Sequence, residues 1–145
     1  MDTPGELPTP NSDEKTMATL AHALQLVGSW IAPLVIFLIR RESKFVSFHA
    51  LQALLWQIVV MVLMMGGMVL WFIFVFSTIA HHGKPHPDQN FPAGFFVIFP
   101  VLWLSFMAFW VLNLVIAIVY AVKAGRGEWA AYPVIGSWVR RIVKP

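Results

Sequence analysis

Three stretches of this chain, residues 17–39, 50–79 and 91–122, contain no charged side chain. A bilayer core about 30 Å thick is crossed by roughly 20 apolar residues of helix, each rising about 1.5 Å. All three stretches exceed that length, so lipid is the solvent that most of the chain must satisfy. The expected fold is an all-α membrane protein with three transmembrane helices, at about 17–39, 50–79 and 92–122. A short C-terminal interfacial amphipathic helix follows at about 134–144.

The composition agrees: 59% of residues are hydrophobic and 12% charged, with a mean hydropathy of +0.73. A soluble domain carries about a quarter charged residues. With three spans in 145 residues there is no room for a separate soluble catalytic domain. Cysteine is absent, which excludes disulfides, thiolate chemistry and Cys-ligated zinc or iron–sulfur centres. Residues 1–13, acidic and rich in proline, read as a disordered tail rather than a signal peptide, which would start basic. Residues 14–145 form a single membrane domain. Ser12 or Asp13 reads as the first helix N-cap, with Asp13 and Glu14 favourable in the first turn.

Basic residues near span ends stay on the cytoplasmic side. Arg40, Arg41 and Lys44 follow the first span, and Lys123, Arg126, Arg140, Arg141 and Lys144 follow the third. Only Lys15 and Lys84 fall elsewhere. Three spans then place the N-terminus and the 80–91 loop outside, and the 40–49 loop and C-terminus in the cytoplasm. The expected location is the plasma (inner) membrane of a bacterium.

In the 134–144 segment, Val134, Ile135, Trp138, Val139, Ile142 and Val143 fall opposite Ser137, Arg140, Arg141 and Lys144, the pattern of a helix lying in the interface. Phe45, Phe48 and His49 beside Arg40, Arg41 and Lys44 read as a second set of interfacial anchors. Arg126, Glu128, Trp129 and Trp138 belong with them, and Glu128 is placed to pair with Arg40 or Arg41. Within the spans, Gly66 and Gly67 read as a close-packing point between helices. Pro33 and Pro100 read as kinks. Gln52 seats the second helix against its neighbours, and Gln57 and Asn113 could hydrogen-bond each other at membrane depth.

Evidence for chemistry is sparse. His81, His82, His86 and Asp88 in the second loop could bind a divalent metal, since imidazole is a common ligand. A solvated, proline-interrupted loop accounts for the same residues. No carboxylate or fixed cation lies inside a span, which argues against a proton-coupled transporter built from this chain alone. No nucleophile–base pair, phosphate loop or HExxH motif is present. No catalytic residue and no cofactor are expected, and the basic residues are explained by topology rather than by nucleic acid.

The segments 33–43, 43–57 (SKFVSFHALQALLWQ) and 121–136 (AVKAGRGEWAAYPVIG) resemble a widespread family of small bacterial membrane proteins of unknown function. That family is grouped with the inner-envelope channel subunit of the chloroplast protein-import translocon. The resemblance covers about 16–139 and implies a channel or translocation subunit. Three functions follow as expectations. The first is a non-enzymatic subunit that contacts membrane lipid and packs as a homo-oligomer or in a larger membrane complex. The second is a transporter or channel subunit related to protein translocation. The third is a membrane enzyme or metal-handling protein using the external histidines.

Overall fold

A computed structural model describes residues 7–82 and 93–144, and the side chains of 7–80 and 96–144. The described residues form five α-helices and no strand: α1 (Ser12–Gly28), α2 (Ile31–Ile39), α3 (Lys44–His82), α4 (Ala93–Gly125) and α5 (Ile135–Val143).

The first charge-free stretch does not form one span. α1 starts on Asn11, one residue before the expected cap, in a reciprocal capping box with Glu14. Each backbone N–H finds the other residue's side chain at 2.9 Å. The helix stops at Gly28. Ser29 takes φ 49° and ψ −133°, and the chain doubles back so that α2 packs against α1. The reversal is antiparallel: Asp13 at the start of α1 meets Arg40 just past α2, at 2.9 Å. At 17 and 9 residues, α1 and α2 reach about 25 and 13 Å, too short to cross about 30 Å of hydrocarbon alone. Pro33 is therefore not a mid-span kink. It is the third residue of α2, where a missing N–H breaks no helical hydrogen bond.

Among the described residues, two helices are long and apolar enough to cross a membrane, over Lys44–Ala80 and Phe96–Gly125. α4 continues through Pro100. It ends in a Schellman turn: Gly127, at φ 81°, donates to the Ala124 carbonyl, and Glu128 donates to the Lys123 carbonyl.

The chain divides into two compact units. One comprises 1–59 and 114–145, the other 60–113. In the first, Ala18, Ala21, Ala50, Ala53, Ala117, Ala121 and Ala124 are buried, small enough to let helix backbones approach. The Thr19 hydroxyl donates to Ala121 O across one such approach, at 3.3 Å. Apolar clusters form around Phe45, Val46, Phe48, Tyr132, Ile135 and Val139.

The second unit is built differently. Trp71 packs against Phe99 at 5.8 Å between ring centroids. A cavity of about 710 Å³ opens beside them, lined by Leu63, Met64, Met68, Leu102 and Phe106. Gly66 and Gly67 have open space where a side chain would stand, so within this chain they are not the close-packing point the sequence suggested. Asn113 lies half-buried at the end of this unit.

Candidate functional site: a buried polar chain

α1 buries Ala18, Ala21, His22 and Gln25 on one stripe at helical spacing. α3 buries His49, Gln52 and Gln57 on another. The loop after α4 contributes the Glu128 and Ala130 carbonyls and the Tyr132 side chain. These groups meet inside the first unit, where His22 and His49 are fully enclosed and Gln25 is 1% exposed.

A continuous hydrogen-bond chain results. Gln25 Nε2 donates to the Tyr132 hydroxyl at 3.4 Å. The Tyr132 oxygen lies 2.9 Å from His22 Nδ1. His22 Nε2 lies 2.9 Å from His49 Nδ1, the two rings being nearly perpendicular. His49 Nε2 lies 3.1 Å from the Glu128 carbonyl. A carbonyl oxygen only accepts, so His49 Nε2 carries the proton. Among the described residues no carboxylate is hydrogen-bonded or ion-paired to either ring, and a buried imidazolium needs such a partner. In the neutral pair each ring has one N–H. His49 Nδ1 then accepts from His22 Nε2, and His22 Nδ1 accepts from Tyr132. Every donor in the chain points toward Glu128. Burial raises the Tyr132 phenol well above its ordinary value. The Gln25 bond opposes that shift and nearby Tyr120 reinforces it, so the donor stays protonated.

The other amides join separate elements. Gln52 Nε2 donates to Phe48 O within α3 and to Ala130 O, while its Oε1 accepts from the Tyr132 N–H. Gln57 Nε2 donates at 3.1 Å to Gln25 O, one of the carbonyls left open at the end of α1. Gln25 Oε1 is buried without a hydrogen-bond partner.

The expected anchors divide. Phe45, Phe48 and His49 do not face outward; they are core residues covered by Trp129, whose ring packs 5.1 Å from Phe45. Trp129 also donates to Pro8 O, drawing the N-terminal segment onto this unit. Trp138, Arg140 and Arg141 are exposed on α5, as an interfacial helix requires. The apolar face of α5 is split, however. Ile135 and Val139 are buried in the protein, while Val134, Trp138 and Ile142 are exposed. Glu128 faces Arg126 at 4.0 Å rather than Arg40 or Arg41. Lys44 Nζ donates to Lys144 O, and Ser43 donates to Glu14 at 2.6 Å. The latter bond and the Asn11 N–H hold the Glu14 carboxyl below its ordinary value.

The contacts of Asp13 with Arg40 and of Ser43 with Glu14 place the start of α1 beside the 40–44 loop. The expected separation of those two segments across the membrane is therefore corrected. The side chains of His81 and His82, and all of His86 and Asp88, lie outside the described residues. Among the described residues no cluster of three or more metal-ligating side chains occurs.

The sequence reading missed the pairing of His22 with His49. Its one local signal was polar residues at helical spacing inside apolar helices, at 22 and 25 and at 49, 52 and 57. Their common partner, the 128–132 loop, lies about 80 residues away in sequence from α3.

A family model described as the magnetosome magnetite crystal formation protein family (MamF/MmsF) matches residues 13–139. No curated protein and no solved structure matches. The match replaces the translocon-related resemblance, which nothing found supports. Of the residues that carried that resemblance, His49 belongs to the buried chain, Gln52 ties α3 to the 128–132 loop, and Phe45, Phe48 and Trp129 pack around His49.

Proposed function

Because this chain belongs to the magnetosome magnetite crystal formation protein family, we propose that it serves crystal formation as a non-enzymatic subunit of the magnetosome membrane. The observation that carries this reading is the use made of the buried polar groups. Gln52, Gln57, His22, His49 and Tyr132 are committed to bonds that join α1, α3 and the 128–132 loop. Such bonds set the shape of a membrane-embedded head.

Nine of the ten Lys and Arg residues belong to the unit that holds this head. With α1 and α2 doubled back, two spans account for the charge placement better than three. The N-terminal segment, the 40–44 loop and the 126–144 segment share the cytoplasmic side. The far ends of α3 and α4 then face the other side.

Deleting the gene and imaging the crystals tests the role. Altered crystal size or number, restored by the wild-type chain, supports it. Unchanged crystals with the tagged chain absent from magnetosome membranes refute it. Reporter fusions at residue 1 and after Lys144 test the sidedness: a cytoplasm-only reporter works at both positions if two spans are correct, and at one only if there are three.

A further inference from the structure

The hydrogen-bond chain from Gln25 to Glu128 has a fixed direction in its neutral form, and its Gln25 end carries an acceptor, Oε1, with no donor. The geometry points to a one-proton binding site whose occupation reverses the whole chain. A proton arriving at the Tyr132 oxygen moves the hydroxyl proton onto His22 Nδ1. The His22 Nε2 proton passes to His49 Nδ1. His49 then holds two protons and the positive charge, His22 holds one proton on the opposite nitrogen, and Tyr132 remains a phenol. One proton enters and none leaves.

Every step follows a contact already in place, at 2.9 Å between Tyr132 and His22 and 2.9 Å between the rings. In the reversed chain His49 donates to His22, His22 donates to Tyr132, and Tyr132 turns its O–H toward Gln25. The Gln25 amide turns over, and its oxygen, without a partner in the neutral chain, accepts that proton. The charge on His49 keeps its bond to the Glu128 carbonyl and lies beside the Phe45 ring, 4.6 Å away.

A second proton has no place, because two adjacent imidazoliums would turn N–H against N–H. The titratable groups packed against the pair are Tyr120 of α4, with its ring 6.1 Å from His22, and Tyr132 and Glu128 of the loop. Lys123 stands over Tyr120, and Arg126 takes the Glu128 carboxylate. α1, α2, α3 and α5 bring no carboxylate into a hydrogen bond or ion pair with the pair.

The test is nitrogen-15 NMR of labelled histidine in the full chain in lipid nanodiscs, with His81, His82 and His86 replaced by Gln so that only the pair reports. At neutral pH both rings are expected as the Nε2–H tautomer. On acidification a single step is expected: His49 becomes doubly protonated, and His22 moves its proton to Nδ1 at the same midpoint. Tyr132→Phe removes the acceptor for His22 Nδ1–H, so the midpoint falls to lower pH and the His22 tautomer change disappears. An Nδ1–H tautomer on either ring at neutral pH overturns the proposal. So do two separate midpoints, a Tyr132→Phe variant that titrates as wild type, or unfolding before any uptake.

Discussion

The unit formed by 1–59 and 114–145 and the unit formed by 60–113 are both made of apolar helix, yet they are held by different means. In the first, side-chain hydrogen bonds reach across the sequence, from Gln52 to Ala130, from His22 to Tyr132 and from Trp129 to Pro8. In the second, Ser77, Thr78 and Ser105 each donate back to a carbonyl three or four residues earlier in their own helix. A bond within one helix fixes no tertiary arrangement, whereas a bond between segments does. The first unit is thus specified by polar partners between segments, and the second carries aromatic contact between α3 and α4, as of Trp71 with Phe99.

The strongest way to break that contrast is to remove a bridging amide. Gln52→Leu strands the Tyr132 N–H and the Ala130 carbonyl. An unmade buried hydrogen bond costs about 1–3 kcal/mol, so a loss of about 3 kcal/mol is expected. Ser105→Ala in the other unit should change stability by less than about 0.5 kcal/mol. Unfolding of both variants in mixed micelles, followed by circular dichroism, checks the difference. Equal effects would show that the two units are held alike.

A single substitution type should then change sign between the units. A side chain added at Gly136 meets Ala131, with its Cβ at 2.5 Å and its Cα at 2.9 Å. Relief would need the backbone to move, so Gly136→Ala is expected to destabilise by about 1–3 kcal/mol. At Gly67 nothing stands within 4 Å. There Gly67→Ala gains helix propensity and is expected to stabilise by about 0.5–1 kcal/mol. Loss of stability at Gly67 would mean that another molecule packs on it in the membrane.

The sequence made the second unit legible and much of the first illegible, for one reason. Absence of charge reports how well a segment tolerates lipid, and that fully describes 60–79 and 96–113. It says nothing of direction, so 17–39 reads as one span although the chain turns back at Ser29. Gly28-Ser29 followed by Pro33 was the available signal, and in that position proline starts a helix rather than bending one. Phe48, His49 and Gln52 stand next to Arg40, Arg41 and Lys44 in sequence, which made them look superficial. Their burial depends on Trp129 and Tyr132, whose approach no local period encodes. The α5 pattern was legible as amphipathic, but its buried half, Ile135 and Val139, could not be told from its exposed half, Trp138 and Ile142.

The turn at Ser29 offers a further test, smaller in effect. A non-glycine residue at φ 49° with ψ −133° carries backbone strain that glycine does not. In the doubled-back chain Ser29→Gly is therefore expected to stabilise by about 1 kcal/mol. In a continuous span, glycine in mid-helix would cost about 0.5–1 kcal/mol. The sign of one thermal shift thus separates two architectures that hydropathy cannot distinguish.

Acidity sharpens the comparison at the lowest cost in free energy. Glu14 caps α1 and accepts from Ser43, and both contacts hold its carboxyl below the ordinary value of 4.5. A carboxyl whose folded value lies below its unfolded value contributes stability that is fully present above the unfolded value. That contribution is lost as pH falls through the folded value. Stability should therefore be flat in this respect above about pH 4.5 and decline below it. Glu14→Gln should lower the neutral-pH melting temperature slightly and remove part of the acid decline. The probe is local: a Trp129 signal, which reports the covering of Phe45 and the Pro8 contact, should follow the decline. Trp103, in the other unit, should stay flat over the same range, because no described carboxylate belongs to that unit. If both tryptophans move together at acid pH, the two units unfold as one body and the division drawn between them does not hold in energy.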